Sequence, residues 1–191
     1  MCENKSFKSY TFIGLALDPI HVGTGGSRLG RVDNTIVRDP VTRVPKIPGS
    51  SLAGVTRAYV AMGKQVEEPK RIIKEKNKPY YPDCAGQGGG KTKHCSSPDC
   101  PVCTVFGFAN ADSGGFAGLA SFSDMHVLFF PVPTWNGPHW ITSPMALKTI
   151  YKNEIPMPNS DAAYALSDGG GYQLNLGWLY LEVESGLNLL T

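Results

Sequence analysis

Four of the five cysteines in this chain are spaced like the ligands of a metal ion. Cys84, Cys95, Cys100 and Cys103 follow the pattern C-x10-C-x4-C-x2-C. The last pair lets two thiolates reach one ion from a tight turn, and four cysteines are typical of a closed, structural Zn²⁺ site. A zinc ion would also supply the folding energy that this polar segment lacks. We therefore predict that these cysteines bind structural zinc, with His94 as the alternative to one of them.

A second candidate site is a serine-rich segment that follows a predicted strand end. Ser50 and Ser51 stand where a helix would begin, after a tight turn at Gly49. The cations Lys46 and Arg57 lie on either side. The N-terminus of a helix presents free N–H groups, and with two hydroxyls and nearby cations it can bind a phosphate. The simpler alternative is that Ser50 only caps the helix.

The third candidate is a glycine-rich turn near the start of the chain, which carries His21, Arg31 and the isolated carboxylate Asp33. Beside a bound ribose phosphate, a carboxylate can orient or deprotonate a 2′-hydroxyl or hold a divalent ion. The alternatives are a turn carboxylate or a salt bridge for Asp33 and a structural role for His21. Together, the second and third candidates suggest a protein that holds a phosphodiester backbone and cuts it.

The charges that such a protein needs are distributed unevenly along the chain. Residues 1–93 contain 16 of the 18 Lys and Arg and 8 of the 16 Asp and Glu, a net charge of +8, whereas residues 94–191 have a net charge of −6. This asymmetry favours a basic face for a polyanion and an acidic face elsewhere, for example for a neighbouring subunit. The alternative is a solvated, lysine-rich helix over residues 64–78.

Length and composition are those of one globular domain, or of one domain with an insertion. The chain has 191 residues, of which 41% are hydrophobic and 18% are charged. The longest apolar stretch, residues 125–132, is far too short to span a bilayer, and the first residues contain no apolar signal region. We therefore expect a cytoplasmic protein without a membrane partner, in which the clustered cysteines bind metal and do not form disulfides.

Local patterns predict the elements that must position these candidates. Alternation over residues 10–17 predicts a strand, and helical spacing predicts a helix that begins at Ser50. The apolar stripe of that helix consists of Leu52, Val55, Tyr59 and Met62. Further elements are predicted over residues 117–130 (a long strand or a hairpin arm), 146–151 (a short helix) and 174–183 (a strand). This order suggests an α+β, ferredoxin-like layer, interrupted by an irregular insertion at about residues 82–104.

Five segments that span most of residues 10–145 carry a family resemblance. They are PIHVGTG (19–25) with Val32 and Asp33, IPGSSL (47–52) with Gly54 and Arg57, VFG (105–107), LASFSD (119–124) and WITSP (140–144). In this order they resemble the RAMP superfamily. More specifically, the chain resembles the repeated backbone subunit of type III CRISPR RNA-guided effector complexes, and the III-B (Cmr-type) branch fits best.

The resemblance implies a ferredoxin-like (RRM-like) core with insertions, in subunits that stack as a filament along a guide RNA. It implies that Asp33 cuts target RNA at regular intervals with a divalent ion, Mg²⁺ or Mn²⁺. It also implies that Ser50, Ser51 and Arg57 hold phosphates of the guide RNA. As further RNA contacts we predict His21, Arg31 and Lys46. One departure is Ala53, which stands where the family usually has a basic residue.

The sequence thus predicts a single RAMP-like domain over residues 1–191, with a zinc-binding insertion and without the C-terminal part found in relatives. We expect it to bind CRISPR guide RNA, to stack with further copies of itself and with other type III effector subunits, and to cleave complementary target RNA in a metal-dependent reaction. Two alternatives stay open at this point. One is a non-catalytic, structural guide-RNA-binding subunit, and the other is a guide-processing endoribonuclease that needs no metal.

Overall fold

The structure is a computed structural model of the chain, and it describes residues 7–25, 35–73, 76–86, 94–110, 114–166 and 170–185. Residues 1–37 and residues 38–191 form two compact units. The helices are α1 (Gly49–Glu67), α2 (Pro101–Phe106) and α3 (Pro144–Leu147). The strands are β1 (Lys46–Ile47), β2 (Ile72–Ile73), β3 (Lys76–Asn77), β4 (Phe108–Asn110), β5 (Gly114–Phe116), β6 (Met125–His126), β7 (Phe130–Thr134), β8 (Gly137–Ile141), β9 (Ala162–Tyr164), β10 (Tyr172–Asn175) and β11 (Tyr180–Glu184). Among the described residues, no helix is long and apolar enough to cross a membrane.

In the first unit, an isolated antiparallel bridge joins Gly23 to Ile36. The strand predicted over residues 10–17 is wrong, because these residues form no strand. Their apolar side chains are largely uncovered, and Phe12 and Leu17 are 82% and 89% exposed. Alternation of apolar residues produces a strand where a neighbouring strand and a packed layer cover one face. The described part of this unit provides neither.

In the second unit, β1 leads through Pro48 into α1, which carries the serine-rich segment. Pro48 is the N-cap of α1, and its carbonyl accepts the N–H of Ser51 (2.9 Å). Ser50 therefore lies inside the helix, so the prediction that it caps the helix is wrong. The helix begins earlier because the N–H of Gly49 has an acceptor from another segment, the carboxylate of Asp124 (2.8 Å). That acceptor replaces a side-chain cap from the helix itself.

The buried face of α1 is not the predicted apolar stripe. Ala58 and Ala61 are buried, whereas Val55 and Tyr59 of the stripe are 58% and 71% exposed. Through its small residues, α1 packs against α2 and against the irregular turn Tyr80–Cys84. Alanine side chains let the helix approach these segments closely, so the requirement for close packing decides which face is buried.

The described strands form five small sheets. β1 pairs antiparallel with β6, with Ile47 opposite Met125, and this pairing brings the segment before β6 to the start of α1. β7 and β8 form an antiparallel hairpin. β10 and β11 are antiparallel, whereas β11 and β9 are parallel. The mixed content of helices and strands is confirmed, and the ferredoxin-like arrangement stays a prediction.

Three predicted elements differ from the structure. Only β6 and the start of β7 are strands within residues 117–130. The strand predicted over residues 174–183 is two strands, because Gly177, with a φ of +86°, lies in a turn between β10 and β11. The helix predicted over residues 146–151 begins earlier, since the side chain of Ser143 caps α3. At the last two places, a turn residue and a capping residue thus override the apolar pattern.

We predict that Gly49→Ala lowers the free energy of unfolding by about 1–3 kcal/mol. A Cβ atom at this position would clash with the backbone carbonyl oxygen of Phe122. Gly54 lies in the same helix and has nothing within 4 Å of its Cβ position, so Gly54→Ala should raise the free energy of unfolding by about 1 kcal/mol. Urea unfolding followed by circular dichroism measures both. Equal effects of the two substitutions would contradict a close approach at Gly49.

Candidate functional site

The four clustered cysteines meet at one point although they lie on different segments. Cys84 ends the turn Tyr80–Cys84, and Cys95 lies in the loop before α2. Cys100 and Cys103 belong to the start of α2. All four sulfur atoms lie within 4.8 Å of one another. The sulfurs of Cys95 and Cys103 are 3.7 Å apart, and those of Cys100 and Cys84 are 3.9 Å apart.

These separations fit a metal site and not disulfides. The sulfur atoms of a disulfide are about 2.05 Å apart. Around an ion that binds four thiolates tetrahedrally at about 2.3 Å, neighbouring sulfur atoms lie about 3.8 Å apart. The observed separations of 3.7 and 3.9 Å match the second case. The residues present therefore could hold a tetrahedral metal ion, as their spacing in the sequence predicts.

The first turn of α2 positions two of the four cysteines. Cys100 is the N-cap of the helix, and its sulfur accepts the N–H of Cys103 (3.4 Å). Pro101 occupies the first turn, where its fixed φ suits a helix start. Gly107, with a φ of +75°, ends the helix, and a Cβ there would lie 2.6 Å from the carbonyl oxygen of Phe116. Local backbone geometry therefore places the C-x2-C pair.

Hydrogen bonds among the thiols lower the pKa of two of them and raise the pKa of the other two. Hydrogen bonds with Cys103 and Cys84 lower the pKa of Cys100 to about 6. The pKa of Cys95 is also lowered, chiefly by hydrogen bonds from Cys100 and Cys103. The hydrogen bond with Cys100 raises the pKa of Cys84. Two of the four thiols thus have lowered pKa values, a direction that favours the thiolate form in which cysteine binds a metal ion.

Arg57 extends from α1 to the cysteine-rich insertion. Its Nε donates to the carbonyl oxygen of Cys84 (2.6 Å), and its Nη2 donates to Nδ1 of His94 (3.0 Å). Because a guanidinium only donates, Nδ1 accepts and the imidazole is neutral. Burial and the charge of Arg57 lower the pKa of His94 accordingly. His94 thus faces Arg57. Two of the three guanidinium nitrogens of Arg57 bind the insertion. The RNA contact of Arg57 stays a prediction.

A carboxylate from another segment occupies the N-terminus of α1. Asp124 Oδ1 accepts the N–H of Gly49 (2.8 Å), and Oδ2 accepts a hydrogen bond from Lys46 Nζ (2.6 Å). The hydrogen bond from Lys46 has the largest effect in lowering the pKa of Asp124, and the one from the Gly49 N–H comes next. Lys46 also lies 3.9 Å from a carboxylate oxygen of Asp39. Lys46, which is predicted to bind phosphate, therefore already lies beside two carboxylates.

The two serines of α1 are left free for a ligand. Ser50 and Ser51 are exposed, and no hydroxyl caps the helix. Among the described residues, neither hydroxyl has a hydrogen-bond partner. Both can therefore donate to an incoming acceptor at the edge of the first helical turn.

Three further predicted residues are His21, Arg31 and Asp33. His21 is exposed in the first unit, and Arg31 and Asp33 lie outside the residues that the structure describes. Asp124 has no predicted role, although it ends one of the five family segments. Arg71, which lies beside the cysteines, has no predicted role either. In the sequence, Arg71 is part of an ordinary charged run, so no local signal could have identified it.

Comparison with known proteins decides the family. The family model of the RAMP superfamily matches residues 15–174. The chain belongs to the RAMP superfamily. This RAMP chain is 32% identical over 148 residues to the CRISPR system Cmr endoribonuclease Cmr4 of Pyrococcus furiosus. That alignment covers 76% of the chain and 39% of the relative. It is 34% identical over 115 residues to the CRISPR system Cms endoribonuclease Csm3 of Methanothermobacter thermautotrophicus. That alignment covers 58% of the chain and 38% of the relative.

The RAMP chain therefore spans less than half the length of these two relatives. A crystal structure of oligomeric Cmr4 from Pyrococcus furiosus is similar in fold, with a TM-score of 0.54 and 24% sequence identity. The alignment covers 88% of this chain and 52% of that one. The resemblance to RAMP-type CRISPR subunits is thus confirmed, as is a mixed α/β fold like that of Cmr4.

We predict that Asp124→Asn makes the chain less stable at neutral pH, and that the difference disappears in acid. Because the pKa of Asp124 is lowered in the folded chain, its carboxylate stabilises the fold above the ordinary pKa of 3.8. That contribution is lost as the pH falls through the lower, folded-state pKa. Asparagine keeps an acceptor for the Gly49 N–H but loses the charge that attracts Lys46.

Urea midpoints measured across a range of acidic and neutral pH test this prediction. Asp161→Asn, which removes an exposed carboxylate, is the control and should follow the wild-type profile. A constant difference between Asp124→Asn and wild type at every pH would show that charge is not what makes Asp124 stabilising.

Proposed function

We propose that this protein is a backbone subunit of a type III CRISPR effector complex that binds guide RNA and cleaves complementary target RNA. Membership of the RAMP superfamily supports the proposal, as do curated relatives named as endoribonucleases. Its partners are the guide RNA, the target RNA, other type III effector subunits and further copies of itself. Oligomeric Cmr4 is a precedent for such self-association.

The observation that carries the RNA-binding part is the exposed pair of hydroxyls at the start of α1. Ser50 and Ser51 have no partners among the described residues and can donate to phosphate oxygens. Contacts to phosphate fix the position of a nucleic acid but read no bases. A guide RNA whose sequence varies needs contacts of this kind, because base pairing reads the target.

For the cleavage step, we propose Asp33 as the residue that acts at the scissile phosphodiester. A carboxylate there can orient or deprotonate the attacking 2′-hydroxyl. A divalent ion, Mg²⁺ or Mn²⁺, would supply electrostatic stabilisation of the phosphate when bound. A single carboxylate is weak without a fixed substrate, so we expect most of the rate to come from positioning by stacked copies on the guide.

We predict that Asp33→Ala abolishes cutting of a complementary target and leaves guide binding intact. The variant removes the proposed acid–base group, whereas the guide contacts lie on other residues. Electrophoresis of end-labelled target measures cutting by the chain co-expressed with a CRISPR array and its effector partners, and wild type should cut at regular intervals. Undiminished cutting by Asp33→Ala contradicts the proposal.

Two controls separate the alternatives. Cutting that survives EDTA favours a guide-processing endoribonuclease, and intact binding without any cutting by wild type favours a structural subunit.

Ser50→Ala with Ser51→Ala should weaken guide binding by about tenfold or more, because alanine keeps helix propensity and removes both donors. The loss should be equal for guides with unrelated spacers, and binding should fall steeply with salt.

We also propose that the four cysteines bind one structural zinc ion. Thiolates are the ligands that zinc takes in closed structural sites, and the sulfur separations of 3.7 and 3.9 Å fit them. Four protein ligands leave no open coordination position, so this ion orders the insertion and does not take part in RNA cleavage.

We predict about one zinc ion per chain in purified wild-type protein, and much less in Cys103→Ser. Cys103 is fully buried, so its loss should also lower the melting temperature markedly. Elemental analysis and thermal unfolding measure the two effects. Cys2→Ser is the matched control, because Cys2 lies outside the C-x10-C-x4-C-x2-C pattern. Wild-type protein that lacks zinc, when purified without chelators, refutes the site.

A further inference from the structure

Arg71 is a buried arginine that has no carboxylate partner among the residues that the structure describes. It directly precedes β2 and is only 6% exposed. Within the described residues, none of the salt bridges includes it. Arginine is almost never fully buried unless its charge is paired. The groups that compensate its charge are therefore other neighbours.

The guanidinium of Arg71 lies between two cysteine sulfurs and an aromatic ring. Nη1 donates to Cys84 Sγ (3.7 Å), and Nη2 donates to Cys95 Sγ (3.6 Å). The central carbon of the guanidinium lies 4.0 Å from the centre of the Tyr80 ring. The hydroxyl of Tyr80 in turn donates to Glu68 Oε2 (3.0 Å). The planar guanidinium thus contacts two sulfurs and stacks on the ring of Tyr80. That ring is held in turn by the hydrogen bond from its hydroxyl to Glu68.

Charge explains the presence of a cation at this position. Four thiolates around a divalent ion carry a net charge of −2, and buried charge is costly unless it is paired and hydrogen-bonded. One guanidinium reduces the net charge to −1. Its planar, weakly hydrated group also suits burial and two-point contacts better than a lysine ammonium does. Cys84, Cys100 and Cys103 are fully buried, so water does not compensate their charge.

We propose that Arg71 is a positioning residue of the metal centre, which orients Cys84 and Cys95 and compensates part of the charge of the four thiolates. The inference rests on the zinc site proposed above. Arg71 differs in this from Arg57, which reaches the backbone carbonyl of Cys84 and no sulfur among the described contacts. Groups around the ligands of a metal tune its affinity, so zinc retention should depend on Arg71 although it is not a ligand.

The test compares the zinc affinity of the full chain with that of Arg71→Met and Arg71→Lys, by competition with a chromophoric chelator. Methionine keeps an unbranched side chain without charge or donors, and lysine keeps the charge without the two-point contact. We expect zinc affinity to fall about 10–100-fold in Arg71→Met and by a smaller factor in Arg71→Lys. Lys70→Met removes an exposed neighbouring charge and should leave the affinity unchanged.

Substitution with Co²⁺ provides a readout that is independent of affinity. Cobalt bound tetrahedrally by four thiolates has charge-transfer and visible bands that report ligand identity and geometry. At saturating Co²⁺, these bands should shift or weaken in Arg71→Met, because Cys84 and Cys95 lose the group that orients them. The bands of Lys70→Met should match those of wild type.

A wild-type zinc affinity together with a wild-type cobalt spectrum in Arg71→Met overturns the inference. If Arg71→Met does not fold, Arg71→Lys decides: weakened zinc affinity supports the role of Arg71, and unchanged affinity overturns it. A wild-type chain that takes up no zinc contradicts the zinc site and this inference together. That result differs from a failure of the Arg71 role alone, because it appears before any substitution is made.

Discussion

The second unit depends on the meeting of four cysteine sulfurs at one point. Among the residues that the structure describes, its largest fully buried side chains are those of Val102, Cys84, Cys100 and Cys103. The tightest part of this core therefore consists mostly of candidate metal ligands. The segments that carry them are short and irregular, and thiols bury little apolar surface. A bound ion would therefore contribute the free energy that a larger apolar core contributes in other domains.

α1 connects this centre with the proposed RNA contacts. Ser50 lies in its first turn, Arg57 reaches the insertion from its N-terminal half, and Gln65 near its C-terminus accepts the N–H of Tyr80 (2.7 Å). Tyr80 stacks on the guanidinium of Arg71, which contacts the cysteines. One helix of 19 residues thus carries the two serine hydroxyls and contacts the segments that hold the cysteines at two places.

The start of α1 also shows how charge limits what this helix can bind. A bare helix N-terminus attracts anions, but here Asp124 already accepts the N–H of Gly49 and pairs with Lys46. In the proposed RNA contact, a phosphate would therefore be held by neutral donors such as Ser50 and Ser51, together with cations from elsewhere in the chain. Hydroxyl donors give such contacts a defined geometry, which suits a guide RNA held in register.

The sequence by itself determined the C-x2-C turn and the family of this protein, but not the ends or the buried faces of its main elements. The spacing of Cys100 and Cys103 is short enough for one turn to set its geometry, and the ordered motifs identified the RAMP family. Only the tertiary structure decided that Asp124 occupies the start of α1, that Arg71 faces the cysteines and that alanines form the buried face of α1. These contacts join segments far apart in the chain, and neither helical periodicity nor residue type specifies which distant group will satisfy an exposed N–H or a buried charge.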